Sequence, residues 1–178
     1  SSDVCSSDLC GSDLKRLLIS LLQCNRSETT NIDEDKLLKD AKDIYEAGEG
    51  TLGTDESVFN KIFTNRSPAE LRYINDQYYN LSGKSLAKVI DSEFSGDIAR
   101  LLTTVLQALL NPAEYFAARI RDACSGLGTK DDQLIRILIS RDEVDLKQIK
   151  EIYKEKYSKT LYEDIKNETS GDYKNLLL

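Results

Sequence analysis

Two carboxylates stand at the same distance from two glycine-bearing loops. Glu93 and Glu168 each lie 39 residues after the Thr of a Gly-Thr pair, Gly53-Thr54 and Gly128-Thr129. Each leads, one residue on, into Ser-Gly-Asp, as Ser95-Gly96-Asp97 and Ser170-Gly171-Asp172. The loops are Gly48-Glu49-Gly50-Thr51-Leu52-Gly53-Thr54 and Cys124-Ser125-Gly126-Leu127-Gly128-Thr129. Glycine permits positive φ and lets successive carbonyls turn outward. Carbonyl oxygens, one bidentate carboxylate and water make an irregular, all-oxygen site. Calcium accepts such a site, with about 6–8 oxygen ligands at about 2.3–2.6 Å, whereas zinc wants His or Cys and magnesium a stricter octahedron. A glycine before a helix, or Ser-Gly-Asp after a carboxylate, is accounted for singly as a helix stop and cap. Retention of both at one separation in two copies goes beyond capping.

The elements that must position these groups recur with a period of 75 residues and no gap between the landmarks: Ile62/Ile137, Arg66/Arg141, Leu71/Leu146, Ile74/Ile149, Tyr78/Tyr153, Leu86/Leu161 and Ile90/Ile165 coincide. A fixed period of this length marks a repeat architecture. Each repeat reads as five helices. The first spans Asp33 to Ala47, or Pro112 to Cys124 with Asn111 as N-cap. The second starts at Thr54 or Thr129, where Thr129-x-x-Asp132 has the capping-box form. The third begins at Ser67-Pro68 or Asp142-Glu143, the fourth ends at Glu93 or Glu168, and the fifth starts at Asp97 or Asp172. Apolar residues follow a 3.6 period, as in Leu37, Leu38, Ala41, Ile44 and Tyr45, and nothing useful alternates with period two. The predicted fold is all-α. A third, partial copy, Asp13-Leu14-Lys15-Arg16-Leu17-Leu18, places the last helix of a preceding repeat at 10–24, one repeat at 33–110 and another at 111–178. Arg66 and Arg141, closing the second helices, are expected to serve the helix dipole and the last carbonyls.

Composition narrows the function. With a net charge of −7, the surface as a whole repels nucleic acid and anionic lipid, so attraction to phosphate requires a bridging cation or a local patch. No apolar run approaches the roughly 18 residues of a membrane span. There is no His, no nucleophile motif and no phosphate loop, so no catalytic group assembles and the chain does not read as an enzyme. Cys10, Cys24 and Cys124 have no metal-ligand spacing and read as reduced cytosolic thiols. Residues 1–9, with neither a basic nor an apolar stretch, read as a translated sequencing-adapter oligonucleotide or a disordered tail and not as a signal peptide.

The Gly-Leu-Gly-Thr loop, the 39-residue step to an acidic residue and the following Ser-Gly-Asp resemble the annexin repeat, from about residue 11 to 178. The resemblance implies the end of a second repeat, the third and the fourth, stacked in a curved right-handed superhelical array with calcium loops on its convex face. It implies Ca2+ held in the third repeat by the carbonyls of Gly48, Thr51 and Gly53 with the Glu93 carboxylate. In the fourth it implies the carbonyls of Cys124, Gly126 and Gly128 with Glu168. Leu52 and Leu127, at the loop tips, would contact membrane, and Arg136 and Asp145 fall where annexins line a polar central channel. The implied activity is calcium-dependent binding to anionic phospholipid membranes by a cytoplasmic protein that also meets cytosolic protein partners. The alternative is a calcium-insensitive helical-repeat scaffold for protein interaction.

Overall fold

A computed structural model of the chain describes residues 11–50, 53–125 and 130–177. Every regular element among them is a helix, and they form two compact units meeting in sequence at Leu110 and Asn111. The first holds α1 (Ser12–Leu22), α2 (Glu34–Ala47), α3 (Glu56–Asn65), α4 (Pro68–Ser82), α5 (Leu86–Glu93) and α6 (Gly96–Leu110). The second holds α7 (Pro112–Cys124), α8 (Asp131–Arg141), α9 (Leu146–Tyr157), α10 (Leu161–Glu168) and α11 (Gly171–Leu177).

Local chemistry sets most of these boundaries. Asp33 caps α2 by accepting from the Lys36 amide, and Pro68 opens α4 behind a Ser67–Glu70 capping box. The Thr160–Glu163 box opens α10. α5 and α10 stop at Glu93 and Glu168 because the next residues, Phe94 and Thr169, turn extended. The glycines of both Ser-Gly-Asp runs then take left-handed φ of 62° and 60°, a region that costs other L-residues about 1–2 kcal/mol, and start α6 and α11.

Three sequence expectations change. The N-caps of α3 and α8 are Asp55 and Lys130, one residue later than the threonines; the Asp55 carboxylate accepts from the Ser57 amide. Thr54 is thereby released for another partner, while Thr129 lies outside the described residues. α9 starts at Leu146, because Asp142–Asp145 lacks the Ser-Pro capping box of α4 and forms a turn. Third, the arginines closing α3 and α8 bind carboxylates. Arg66 Nε donates to buried Asp40 at 2.6 Å, and Arg141 pairs with Asp145 at 2.6 Å while lying over the Phe116 ring. Carbonyls at the end of α3, those of Phe63 and Arg66, go instead to the Arg26 guanidinium at 2.6 Å.

The first unit's core is built around Phe59, Phe63, Leu71, Ile74, Tyr78, Leu86 and Ile90, all but inaccessible, with Leu17 of α1 packed into it. The second repeats the arrangement with Leu134, Ile137, Leu138, Ile149, Tyr153, Leu161 and Ile165. The repeats are not gapless before their Gly-Thr pairs. The loop is closed by the Asp55 amide on the Ala47 carbonyl at 2.8 Å in one unit, and by the Lys130 amide on the Ala123 carbonyl at 2.9 Å in the other. The first loop is therefore one residue longer, and matching positions upstream are offset by 76.

Candidate metal centre

Glu93 is the last residue of α5. Phe94, next in the chain, is buried with its ring edge-on to Phe59 at a centroid distance of 4.8 Å, which anchors the helix end on the core. The carboxylate then meets the loop from two sides. Thr54 Oγ1 donates to Glu93 Oε2 at 2.9 Å. A Cβ placed on Gly48 would stand 3.2 Å from Glu93 Cγ and 3.5 Å from the Phe59 ring. Gly48, the Gly53-Thr54 pair and Glu93 are thus brought to one place, although α5 and the loop are nearly 40 residues apart. Gly50 is tucked against the last turn of α2: its amide donates to the Tyr45 carbonyl at 2.9 Å, and a Cβ would lie 2.9 Å from Glu46 Cα. No larger residue fits there. Gly53 takes φ +94°.

In the second unit Glu168 closes α10 and is exposed, with buried Thr169 behind it donating to the Ile165 carbonyl at 2.5 Å. Cys124 closes α7 and is buried. Burial, followed by the negative charges of Asp164 and Glu168, pushes its thiol up to about 11. Glu168 thus lies within electrostatic range of Cys124. Thr51, Leu52, Gly126, Leu127 and Gly128 lie outside the described residues.

The donor chemistry suits a hard cation. Among the described residues no three His, Cys, Asp or Glu side chains gather as a metal cage, so a metal here must draw on main-chain oxygens beside the carboxylate. The Glu93 side chain passes close enough to Gly48 to leave little room for a Cβ there, which sets the carboxylate beside loop backbone, and calcium is the ion that tolerates such an all-oxygen donor set.

A polar cluster in each unit escaped the sequence reading. In the first unit the Tyr78 hydroxyl donates to Glu49 Oε2 at 3.1 Å, and Lys84 Nζ bonds Glu49 Oε1. The Lys84 bond holds Glu49 below the usual carboxylate range, while burial and Glu49 push the Tyr78 phenol up. In the second unit the corresponding Tyr153 donates at 2.6 Å to Asp164 Oδ2, which also accepts from Arg121 at 2.5 Å; Lys159 Nζ lies 3.7 Å from Asp164 Oδ1. Tyrosine and lysine recur, but the acid moves from the loop to α10. Asp164 stands where α5 carries Val89, so a search for what the two copies share passes over it.

Together these features define an all-α repeat protein in which, in the first unit, a glycine-bearing loop meets the carboxylate that ends a later helix. The Annexin family description matches residues 39–105 and 115–178. Annexin A11 of Oryctolagus cuniculus is 46% identical over 164 residues, covering 92% of this chain and 33% of that protein. Annexin A13 of Homo sapiens is 42% identical over 166 residues, covering 93% and 52%. Among solved structures, annexin III superposes with a TM-score of 0.89 at 37% identity, over 93% of this chain and 52% of that one. Calcium-bound annexin (Sm)1 gives 0.85 at 34% identity, over 94% and 49%. This chain belongs to the annexin family, and it spans between a third and a half of the length of these relatives. Calcium and phospholipid binding characterise the family, whose members are generally non-enzymatic.

Proposed function

We propose that this chain binds anionic phospholipid membranes when calcium is present, without catalysis, through calcium loops on a convex face. The observation that carries the proposal is the convergence of Gly48, Thr54 and Glu93. In this reading Glu93 and Glu168 each give a calcium ion its side-chain ligand. The carbonyls of Gly48, Thr51 and Gly53 complete the first protein shell, and those of Cys124, Gly126 and Gly128 the second. Calcium bound there supplies positive charge and open positions that lipid phosphate oxygens can fill. Thr54 orients the Glu93 carboxylate, and Phe94 keeps the helix end from swinging away. Leu52 and Leu127, one residue before each Gly-Thr pair, enter the interfacial layer.

The proposed association is peripheral and its setting cytoplasmic. No helix among the described residues is long and apolar enough to cross a membrane. With one carboxylate per site, affinity for calcium without lipid falls toward the weak end for such sites, about 10⁻⁴–10⁻³ M. Co-sedimentation with phosphatidylserine vesicles tests the reading. Pelleting with calcium, and its loss in chelator, is expected. Calcium-independent pelleting, or none at all, sinks the proposal.

One observation favours the second reading, a protein-interaction scaffold. Ile139, Val144 and Tyr162 are 73%, 65% and 53% exposed along an apolar groove between α8, α9 and α10. A vesicle-inert chain that captured a soluble protein equally well in calcium and in chelator would support it.

A further inference from the structure

We infer that Tyr78 and Lys84 are positioning residues for calcium: by gripping Glu49 they fix the Gly48–Gly50 stretch of the first unit's loop, whereas in the second unit the acid that the corresponding pair meets belongs to α10. The inference rests on the proposed calcium sites and adds a cause for unequal behaviour between them. Glu49 lies in the loop between Gly48, where a Cβ would stand 3.2 Å from Glu93 Cγ, and Gly50, which is wedged against α2. Its side chain is 14% exposed and reaches away from the loop to two groups, one on α4 and one just past its end. One is the Tyr78 hydroxyl, on a fully buried ring in α4 that cannot move without disturbing the core. The other is Lys84, one residue past the left-handed Gly83 that ends α4. The loop is thereby fastened to the α4 terminus by an ion pair and a hydrogen bond to one carboxylate. A loop already ordered loses less conformational entropy when a ligand arrives.

The second unit shows that the same machinery can be used otherwise. Tyr153 and Lys159 are kept, but their acid, Asp164, belongs to α10, and Arg121 on α7 joins them. The cluster there ties helix to helix. Position 125, in the shorter loop, is an exposed serine.

Charge alone makes the opposite prediction. Lys84 is near enough to Glu93 for the two to interact. Removing this cation would strengthen metal binding if electrostatics governed, and weaken it if loop order governs. Tyr78→Phe separates the effects, since it alters no charge and keeps the ring.

The experiment uses the full chain with Glu168→Gln to silence the second site. Directly excited Tb3+ serves as the calcium analogue, read by luminescence intensity and by the decay difference between H2O and D2O that reports metal-bound waters. Tyr78→Phe and Lys84→Met should each weaken first-site binding by about fivefold and change the number of bound waters, while Lys84→Arg restores both. With Glu93→Gln silencing the first site instead, neither variant should alter second-site affinity. Unchanged or tighter first-site binding in both variants overturns the inference. If Tyr78→Phe does not fold, the half-exposed Lys84→Met decides the question by itself. Persistence of both metal ions in the Glu93→Gln/Glu168→Gln double variant would instead overturn the calcium sites themselves, so the two failures are distinguishable.

Discussion

At the scale of the residue, the first site turns on what Thr54 does. A threonine after a glycine, at the mouth of a helix, has the form of an N-cap, yet Asp55 does the capping and the Thr54 hydroxyl goes to Glu93. Glu93→Gln keeps an oxygen to accept that bond and suits a helix end almost as well. It should leave far-UV circular dichroism unchanged while one calcium ion is lost in calorimetric titration. An unchanged stoichiometry would remove Glu93 from the ligand set. The cysteines offer a second residue-scale prediction. Cys24 is exposed, whereas burial pushes the Cys124 thiol from 9.0 to about 11. At neutral pH the reactive thiolate is therefore far scarcer at Cys124. Timed iodoacetamide labelling with peptide mapping should find Cys24 modified well before Cys124. The sign for stability follows. The folded protein keeps the proton that the unfolded chain surrenders near pH 9, so this contribution is intact below pH 9 and is lost as pH rises through about 11.

At the scale of the element, helix existence was legible and helix ends only partly. Of the predicted face Leu37, Leu38, Ala41, Ile44 and Tyr45, the residues Leu37, Ala41 and Ile44 are fully buried, while Tyr45 is half-buried and Leu38 exposed at its margins. The ends depend on which polar group wins a particular amide. Ser67-Pro68 announces α4 correctly because its capping box is local. Nothing local marks the turn at Asp142–Asp145, and α9 starts later than expected. The candidate sites follow the same division. Glu93 and Glu168 could be placed at helix ends from sequence, since Ser-Gly-Asp punctuates the chain. The grip on Glu49 could not, because it joins residues 29 and 35 positions apart that only packing makes neighbours. One difference between equivalent helix ends makes a prediction. α4 closes on Gly83 at φ 72°, but α9 closes on Ser158 at φ 56°. A left-handed L-residue costs about 1–2 kcal/mol, against about 0.5–1 kcal/mol of extra chain entropy for glycine. Ser158→Gly should thus stabilise the second unit by about 0.5 kcal/mol, and the urea midpoint should rise with an unchanged m value. A lower midpoint would mean that the serine side chain makes a contact worth more than its strain.

At the scale of the whole molecule, the governing quantity is a net charge of −7. Two calcium ions would reduce it only to −3, so membrane binding cannot come from reversing the sign of the protein. On the proposed function it would come from placing divalent charge where lipid phosphate can reach it, at sites whose own carboxylates are few. This separates calcium bridging from a diffuse basic patch, and ionic strength tells them apart. Without metal, lowering salt from 0.1 M to 0.01 M lengthens the screening distance from about 10 Å to about 30 Å, which extends repulsion between an acidic protein and an acidic bilayer. A basic patch would behave conversely and hold the membrane better as salt falls. Phosphatidylserine vesicles should therefore pellet none of this chain in chelator at either salt concentration. With calcium they should pellet it at both, because a phosphate oxygen in the metal's coordination shell is a short-range contact that 0.1 M salt screens little. Substantial pelleting in chelator at 0.01 M salt, lost at 0.1 M, would show that attraction comes from basic side chains and that calcium is dispensable.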